Sequence, residues 1–486
     1  MVFYISVAMA AVFVIGGVLF PSALAAYAGY LFAAIIDGFG WFYLWATLGF
    51  LVFCVYLAFS RFGKVRLGRD NDKPVFSNLT WFSMLFSAGM GIGLVFWGVA
   101  EPMFHYMNPP LGLEAKTPEA ARAALRYAFF HWGLHPWGIY TVMALAIAYF
   151  SFRKEGKNLI SETFTPLGSS PDGLIGKAID VLAIIATVFG VATSLGLGAL
   201  QINSGLTKLF GVPGNVTAQL SIIGIVTVVY ILSASTGLNK GIAWLSNANI
   251  AAAALLLIFV VAAGPTAFLF EVFTVTFGGY IQEVAFMSLR LTPFSQASWV
   301  GEWTLFYWAW WIAWAPFVGS FIARVSRGRT IKEFVLGVLL VPSIFSFLWF
   351  SVFGGTALNL EMFQGYPIGA GVQQDIAAAL FTTLEYLPFG RIASLLALVL
   401  IITFFITSAD SATFVLGMFS TDGNPDPSNR VKFIWGILQS SIATVLLLSG
   451  GLKGLQQASI VASLPFAVIM VFMCVSLLKA LKKEKV

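Results

Sequence analysis

Long apolar stretches separated by short polar segments run through the whole sequence. A membrane-spanning helix needs about 20 mainly apolar residues, because only a helix satisfies its own backbone hydrogen bonds within hydrocarbon. Twelve stretches meet this requirement, near residues 3–24, 41–60, 80–104, 126–151, 178–206, 215–235, 243–270, 302–324, 333–356, 391–418, 431–450 and 456–479. The pattern therefore predicts an all-α integral membrane protein with 12 transmembrane helices.

Composition agrees with this pattern and excludes a soluble multidomain protein. Hydrophobic residues occupy 59% of the 486 positions, charged residues occupy 10%, and the mean hydropathy is +0.89. The net charge of +6 does not indicate a nucleic-acid partner, because the basic residues lie in short tracts between apolar stretches. Cys54 and Cys474, the two cysteines, both lie in apolar stretches, so neither a disulfide framework nor a cysteine metal site is predicted.

The distribution of Lys and Arg predicts the orientation, because cytoplasmic loops contain an excess of both. The segments after spans two, four, six, eight and ten, together with the C-terminal tail, contain 20 of the 27 basic residues. Both termini are therefore predicted to be cytoplasmic. Residues 23–25, Ala-Leu-Ala, are typical of a signal-peptidase site, but no Lys or Arg precedes them, so we expect an uncleaved first span rather than a removed signal.

The spans and loops predict a repeated layout. Glu283 and Arg290 interrupt a less apolar region whose spacing favours an amphipathic helix on the outer face. Two sets of five spans, preceded by two extra spans, are typical of inverted-repeat secondary transporters, whose sites lie at the midplane between the repeats. The predicted units are residues 1–78 (two helices and a basic loop), 79–270 (five-helix repeat), 271–297 (amphipathic linker), 298–480 (five-helix repeat) and 481–486 (short basic tail).

Three glycines recur at every second position of span three, at Gly89, Gly91 and Gly93. Each glycine weakens a helix by about 1 kcal/mol relative to alanine. Close helix packing explains small residues, although it favours a spacing of four. The other interpretation is an unwound segment whose freed carbonyl groups coordinate a cation. Pro316, beside Gly319 in span eight, predicts a corresponding interruption in the second repeat.

Aromatic residues lie in the middle of two spans, although Trp and Tyr ordinarily gather at the membrane interfaces. At 100° per residue, each set covers one side of its helix. One interpretation is an aromatic packing seam. The other is a cage of ring faces for a quaternary ammonium group, which cannot donate hydrogen bonds. The residues are Trp132, Trp137 and Tyr140 in span four, and Trp308, Trp310, Trp311 and Trp314 in span eight.

A few ionisable residues fall within or beside the predicted spans, where such groups are functional candidates by default. Glu101 precedes Pro102 near the outer surface, and we expect it to have a structural role, solvated or capping. His131 and His135 have the spacing of two zinc ligands, but the residues between them lack the Glu of H-E-x-x-H. The sequence also lacks a G-x-x-x-x-G-K-[ST] phosphate loop, so no catalytic site is predicted and the protein is not expected to be an enzyme.

Several motifs taken together resemble the betaine/carnitine/choline transporter family, and most of all its bacterial sodium-coupled glycine betaine carriers. The resemblance covers nearly the whole chain. It implies that the last ten helices form the LeuT-type inverted repeat and that the protein assembles as a homotrimer. The motifs are Trp308–Gly319 with Phe321–Thr330, Gly89–Gly93, His131–Trp137, Ser194–Ala199 and Phe405–Ser411.

The resemblance also implies roles for the substrate site. Positions matching the family's trimethylammonium cage are Trp132, Trp137, Tyr140 and Trp311. Trp310 and Trp314 match positions that line the inward path, with Trp308 adjacent, and Ser194 matches a hydroxyl near the substrate carboxylate.

Sodium coupling is implied by the intact glycine motif, because sodium-independent exchangers of the family depart from it. One implied sodium site uses carbonyl groups of Ser87, Met90 and Phe404 with the hydroxyl groups of Thr407 and Ser408. Such oxygen ligands suit a hard cation. A second implied site uses Thr187 and Phe317, but Val191 stands where the family has another threonine, so the sodium stoichiometry stays open.

These observations together predict a bacterial plasma-membrane symporter that imports glycine betaine with sodium for osmoprotection, by alternating access. The alternatives are a carrier of choline, carnitine or another onium compound, and a sodium-independent exchanger of the same fold. Sodium is the expected coupling ion, and no cofactor, other metal or nucleic-acid partner is expected.

Overall fold

The computed structural model consists of helices joined by loops, with no β-strand among the residues that it describes, which are 1–89, 91–236, 239–295 and 297–484. The α-helices are α1 (Val2–Leu19), α2 (Pro21–Phe59), α3 (Asn78–Gly89), α4 (Ile92–Met107), α5 (Pro118–Trp132), α6 (Leu134–Ala148), α7 (Leu174–Phe210), α8 (Val216–Thr236), α9 (Asn239–Ala263), α10 (Thr266–Ser288), α11 (Phe306–Val325), α12 (Ile331–Gln364), α13 (Ile368–Gln374), α14 (Ala379–Glu385), α15 (Gly390–Ser420) and α16 (Asn429–Leu481). The last of these, α16, consists of two helical parts that meet at a kink at Gly451 (φ 55, ψ −138), between predicted spans eleven and twelve. Short 3-10 helices lie at Arg61–Lys64, Pro110–Gly112, Ser161–Leu167 and Ile376–Ala378, and π-helices at Tyr149–Arg153 and Gly301–Leu305.

Nine of the helices in the described part of the chain are long and apolar enough to cross a membrane. This finding confirms an all-helical, multi-pass membrane protein. The count of twelve spans and the inverted repeat stay predictions.

Two of the predicted spans are each divided between two helices. Span three is divided between α3, which ends at Gly89, and α4, which begins at Ile92. The prediction of one continuous span four is wrong, because the chain breaks at Gly133 between α5 and α6. A Cβ atom at Gly133 would lie 2.5 Å from the carbonyl oxygen of Phe129 and 2.7 Å from the ring of Phe347, so the break needs a glycine.

The first two helices differ from the predicted spans. α1 ends at Leu19, and α2 then continues for 39 residues through the predicted loop between spans one and two. Pro21 occupies the first turn of α2, where its missing N–H is no loss, and residues 25–40 contain no proline that would end the helix. At 1.5 Å per residue α2 is about 58 Å long, well beyond the hydrocarbon thickness.

The interruption predicted at Pro316 is not found, because α11 is continuous from Phe306 to Val325. Proline is tolerated in transmembrane helices when neighbouring groups form hydrogen bonds with the backbone groups that it leaves unpaired. Of the long apolar helices described, α11 is the most completely buried by the rest of the protein. Among the described residues, predicted span three is therefore interrupted and predicted span eight is not.

The predicted linker helix corresponds to α10, which begins at Thr266, five residues earlier than predicted. Tyr280 on α10 is fully buried against the protein, whereas Phe270 and Ile281 expose an apolar face. Ser288 at its end lies 2.8 Å, Oγ to Nε2, from His135 of α6. Exposed apolar side chains of this kind suit contact with lipid rather than water.

Five segments predicted to be cytoplasmic lie together on one face of the protein. Ion pairs join them to one another, and Phe3 near the N-terminus packs at the same end, 6.5 Å from the ring of Trp435. The prediction that these segments share a side of the membrane is consistent with this arrangement. The joining pairs are Arg69–Glu155 (2.7 Å), Arg153–Asp70 (2.8 Å), Arg153–Glu484 (2.7 Å), Lys157–Asp422 (3.0 Å) and Arg327–Asp72 (3.5 Å).

The loop before α3 and the loop before α12 are also joined through their backbones. The amide of Leu67 donates to the carbonyl oxygen of Arg329, and the amide of Gly328 donates to the carbonyl oxygen of Leu67, both at 2.8 Å. Gly328 has φ +84, and a Cβ there would overlap the carbonyl group of Lys73, so the turn requires glycine. Two loops far apart in sequence are thus held in a fixed register.

Candidate substrate and ion sites

The break between α3 and α4 forms one wall of the candidate site. Gly91 is extended there, with φ −138 and ψ −156, and caps the start of α4. Gly89 is the last residue of α3, and Met90 lies outside the described residues. The assignment of Gly93 to the unwound segment is wrong, because Gly93 lies in the first turn of α4.

The missing side chain of Gly93 allows α4 to approach two tryptophans. A Cβ atom at Gly93 would lie 2.7 Å from Cη2 of Trp310 and 3.1 Å from Cη2 of Trp132. Both distances are shorter than an ordinary carbon contact. The glycine pattern therefore serves close packing at Gly93 and backbone interruption at Gly91, and coordination of a cation by freed carbonyl groups stays a prediction.

Four aromatic residues surround one small cavity, and each is at most 5% exposed. The ring centroid of Trp311 lies 4.8 Å from that of Trp132 and 5.9 Å from that of Tyr140, with interplanar angles of 82° and 83°. Perpendicular rings of this kind form adjacent walls of a box. The aromatic residues are Trp132, Trp137, Tyr140 and Trp311, and Pro136 and Ser346 complete the lining.

A second small cavity adjoins the first and extends to the helix break. Trp132 and Trp311 line both cavities. Trp310 stacks on Trp311 with centroids 5.0 Å apart and an interplanar angle of 18°. The second cavity is lined by Gly91, Gly93, Leu94, Trp132, Ser194, Trp310, Trp311 and Trp314.

Trp308 lines neither cavity, so the structure does not bring it together with the other predicted substrate residues. Its ring stacks on His135 at 5.4 Å and 17°, and packs edge-on against Phe130 at 5.0 Å. The side chain is fully buried in that contact. Trp308 shares a face of α11 with Trp311, but it lies three residues, or about 4.5 Å, further along the helix axis.

Three hydroxyl groups in the two cavities have no hydrogen-bond partner in the described part of the chain: Tyr140 OH and Ser346 Oγ in the first, and Ser194 Oγ in the second. Buried hydroxyl groups normally have partners, so these three are available to a ligand or to water. The sequence analysis did not identify Ser346, which lies on α12. Its only signal was a polar side chain within an apolar stretch.

Glu101 lies behind the wall of the cage. Its side chain is fully buried, so the expected solvated position is wrong. The indole N–H of Trp132 donates to Glu101 Oε2 at 2.8 Å, and the hydroxyl of Tyr307 donates to the same oxygen at 2.6 Å. His131 Nδ1 lies 2.7 Å from Oε1. One carboxyl group thus orients a ring that lines both cavities.

The two histidines of span four do not act as a pair. His131 Nε2 lies 3.0 Å from Thr304 Oγ1, and the His131 carbonyl oxygen accepts a 3.0 Å hydrogen bond from the indole N–H of Trp311. His135 instead contacts Ser288 and Trp308. The backbone of His131 therefore orients a second cage residue, while His135 belongs to the contact between α6 and α10.

Helix α15 reaches the break between α3 and α4. Ser408 Oγ lies 3.7 Å from the position that a Cβ atom would occupy on Gly91. Thr407 Oγ1 donates to the carbonyl oxygens of Thr403 (2.9 Å) and Phe404 (3.3 Å), and accepts from Asn249 Nδ2 at 3.3 Å.

Ser408 is thus the predicted ligand of the first sodium site that lies beside the break. Of the predicted carbonyl ligands, Ser87 lies in α3 and Met90 lies outside the described residues, so this sodium site stays a prediction. Asn249 of α9 is a polar neighbour that the sequence analysis did not identify, because nothing in the sequence connects α9 with α15.

The second predicted sodium site has few oxygen atoms. Thr187 is fully buried, but its hydroxyl donates to a carbonyl oxygen of its own helix at 2.7 Å. Val191, also buried, supplies no side-chain oxygen. Phe317 packs edge-on against Trp314 at 5.3 Å. The nearby Thr193 does not replace the missing hydroxyl, because its Oγ1 lies 2.7 Å from a serine hydroxyl of α16.

Comparison with known proteins gives a consistent result. The model of the betaine/carnitine/choline family transporters (BCCT) matches residues 1–486. The chain is 52% identical over 488 residues to the glycine betaine transporter OpuD of Bacillus subtilis (strain 168), covering 100% of this chain and 94% of that one. It is 48% identical over 483 residues to the ectoine/hydroxyectoine transporter of Virgibacillus pantothenticus (99% and 96% covered), and 42% identical over 483 residues to the glycine betaine transporter of Acinetobacter baylyi (99% and 73% covered).

Proposed function

Because this chain belongs to the betaine/carnitine/choline transporter family, we propose that it imports glycine betaine by sodium symport. Membership confirms the resemblance noted in the sequence, and it means that the protein is a transporter and not an enzyme. The meeting of Trp132, Trp137, Tyr140 and Trp311 around one cavity carries the proposal. A trimethylammonium group has no N–H to donate, and ring faces attract it through their quadrupoles.

The two adjoining cavities suit the two ends of a zwitterion. In this proposal the trimethylammonium group occupies the first cavity, and the carboxylate lies in the second, where Ser194 Oγ is free to donate. The start of α4 also lines the second cavity through Gly91 and Gly93. The N-terminus of a helix carries a partial positive charge and free N–H groups, which favour an anion.

Two arguments support sodium as the coupling ion in this proposal: the resemblance to sodium-coupled members of the family, and the energy that accumulation requires. Accumulating an overall neutral zwitterion a thousandfold costs roughly 4.1 kcal/mol, and the membrane potential acts on it only through a coupled charge. One sodium ion moving through about 150 mV supplies roughly 3.5 kcal/mol. We place this ion between the carbonyl groups of the α3–α4 break and the hydroxyl groups of Thr407 and Ser408.

We further propose that the protein works in the bacterial plasma membrane by alternating access. Twelve spans, the LeuT-type repeat, cytoplasmic termini and a homotrimer belong to this proposal. The basic loops on one face support the orientation, because basic segments collect on the cytoplasmic side.

A second cargo is favoured by the hydroxyl groups in the first cavity. Tyr140 OH and Ser346 Oγ have no partner there, and a trimethylammonium group offers them none. Ectoine is a cyclic zwitterion whose ring N–H groups can donate to such oxygens. A relative that is 48% identical is named an ectoine/hydroxyectoine transporter, so we propose ectoine as an additional cargo.

Uptake by purified protein in liposomes tests the function. Radiolabelled glycine betaine should accumulate against its gradient when sodium is imposed outside, and should not accumulate when potassium replaces it. Choline, carnitine and ectoine as competitors then rank the cargo. Exchange of labelled for unlabelled betaine without any sodium requirement would instead identify the protein as an exchanger.

A further inference from the structure

A carboxyl group lies directly behind one wall of the proposed cage. The ring of Trp132 lines both cavities, and on the other side its indole N–H donates to Glu101 at 2.8 Å. Glu101 is fully buried within the protein. The Trp132 ring therefore lines the two cavities and presents its N–H edge to an acidic side chain.

The other contacts of Glu101 bring several donor groups to one carboxyl group. Trp132 and Tyr307 both donate to Oε2, and His131 Nδ1 lies 2.7 Å from Oε1. His105 Nε2 lies 3.4 Å from Oε1. An ionised carboxylate only accepts hydrogen bonds, and it satisfies several donors at once. Among the described residues, no Lys or Arg pairs with Glu101, so its contacts do not neutralise the charge with a fixed cation.

We propose that Glu101 is a positioning residue that also strengthens the attraction of the Trp132 ring for a cation. A negative acceptor pulls on the indole proton and moves electron density toward the ring face, because hydrogen bonds and charges in a low-dielectric interior polarise one another. A richer ring face attracts a quaternary ammonium group more strongly. The inference deepens the proposed function and rests on it, since it requires a cationic group in the cage.

The substitution Glu101→Gln separates charge from shape. Glutamine has nearly the same size, and its carbonyl oxygen can still accept from Trp132 and Tyr307, but it carries no net charge. We expect the Kd of glycine betaine to rise about three- to tenfold, which is roughly 0.7–1.4 kcal/mol at 1.4 kcal/mol per tenfold. Glu361→Gln is the matched control, because within the described part of the chain the Glu361 carboxylate accepts only from the backbone amide of Gly369 at 2.8 Å, and we expect it to leave the Kd unchanged.

A double-mutant cycle tests whether the effect passes through the indole. Phenylalanine at position 132 keeps a ring but has no N–H, so Glu101 cannot polarise it through a hydrogen bond. The Kd of glycine betaine would be measured by calorimetry at saturating sodium for the wild type, Glu101→Gln, Trp132→Phe and the double variant. We expect Glu101→Gln to weaken binding less than twofold in the Trp132→Phe background, because neighbouring groups that act together are not additive.

Several results would overturn the proposal. An unchanged Kd in Glu101→Gln removes the role of the charge. An equal loss in both backgrounds shows that Glu101 acts by another route, such as general support of the fold. Failure of the wild type to bind glycine betaine overturns the proposed cargo, a result that is distinct from the other two.

A measurement on the unsubstituted protein decides the matter if Glu101→Gln does not fold. Coupling is reciprocal, so a cation on the face of Trp132 must strengthen the hydrogen bond to Glu101. With 15N-labelled indoles, the Trp132 proton resonance, assigned through Trp132→Phe, should lie downfield of that of Trp314, whose indole N–H has no partner in the described part of the chain. It should move further downfield on addition of glycine betaine. A Trp132 resonance at the position of Trp314, or one that does not move, contradicts the proposal.

Discussion

At the scale of single residues, Trp311 connects the parts of the candidate site. Its ring lines both cavities and contacts Trp132 and Tyr140 edge to face. Its indole N–H donates to the carbonyl oxygen of His131 at 3.0 Å, which fixes the orientation of the ring. A buried indole whose N–H is paired is held in one position, so the ring offers a stable face rather than an adaptable one.

We therefore expect Trp311→Phe to weaken the binding of glycine betaine. Phenylalanine keeps a ring but offers a weaker cation–π face than tryptophan, so part of the about 0.5–2 kcal/mol of such an interaction is lost, or roughly two- to tenfold in affinity. Concentration-dependent uptake in liposomes measures the KM. Trp308→Phe is the matched control on the same helix, because the Trp308 ring packs on His135 away from both cavities, and its KM should remain that of the wild type. Equal KM values for the two variants would exclude Trp311 from the cage.

The second residue-scale prediction concerns sodium. Ser408→Ala removes a hydroxyl beside the helix break, and we expect the sodium concentration for half-maximal uptake to rise about tenfold, the equivalent of roughly 1.4 kcal/mol. Thr403→Val is the control, because the Thr403 hydroxyl donates only to carbonyl oxygens of its own helix at 2.9 and 3.0 Å. A sodium activation curve unchanged by Ser408→Ala would remove that residue from the ion site.

Sequence reasoning located residues that lie close together in the chain. Trp132 ends α5, and Trp137 and Tyr140 lie in α6 beyond the break at Gly133, yet the structure places all three at one cavity with Trp311. Glu101 and Ser346 were misjudged or missed, because their surroundings come from other helices. No pattern within one helix shows that Glu101 meets the indole of Trp132.

At the scale of elements, hydropathy found apolar length but not backbone continuity. Apolar stretches predicted where most helices lie, yet span four breaks at Gly133 and α11 passes through Pro316 without a break. The hydropathy of a stretch is the sum of side-chain transfer energies. A break in a helix depends instead on which atoms of other helices lie close to the backbone at that position. At Gly133 that neighbour is the ring of Phe347, which is more than two hundred positions away in the sequence.

Gly93 allows a prediction for the start of α4. Gly93→Ala places a methyl group 2.7 Å from the ring of Trp310, so α4 or the indole must move, and we expect betaine uptake to fall at least fivefold, since overpacking typically costs about 1–3 kcal/mol. Gly224→Ala in α8 is the control, because nothing in the described part of the chain packs within 4 Å of its Cβ position and it lines neither cavity. Uptake by both variants in liposomes, with thermal unfolding as a check on folding, makes the comparison. Normal uptake by Gly93→Ala would contradict the assigned packing role.

At the scale of the whole molecule, Glu484, which follows α16, contacts the segment that follows α6. Glu484 accepts from Arg153 and Lys154 at 2.7 Å and from the hydroxyl of Tyr149 at 2.6 Å. Burial alone raises the pKa of the Glu484 carboxyl, but these hydrogen bonds outweigh burial and lower the pKa to about 2. The Glu484 carboxylate therefore connects the end of α16 to the segment that follows α6.

This lowered pKa predicts how stability depends on pH. A carboxyl group whose pKa is lowered by folding stabilises the protein above its ordinary pKa, 4.5 for glutamate here, and the contribution is lost as the pH falls toward about 2. The difference in Tm between the wild type and Glu484→Gln should be constant from neutral pH down to about 5 and then shrink. Glu385→Gln is the control, because its pair with Lys208 is exposed and 3.3 Å long, and it should change Tm little at any pH. A Tm difference that is independent of pH would contradict the assignment.

The backbone pairing of the two loops before α3 and α12 limits which parts of the protein can move separately. Arg66 and Thr330 face each other in an antiparallel bridge, with the backbone bonds of Leu67 beside them. Sliding these loops apart would leave amide groups unpaired, so the end of α2 and the start of α12 must travel as one rigid body during a transport cycle. The hinges of the carrier then lie elsewhere, and a covalent cross-link at this bridge should leave turnover intact.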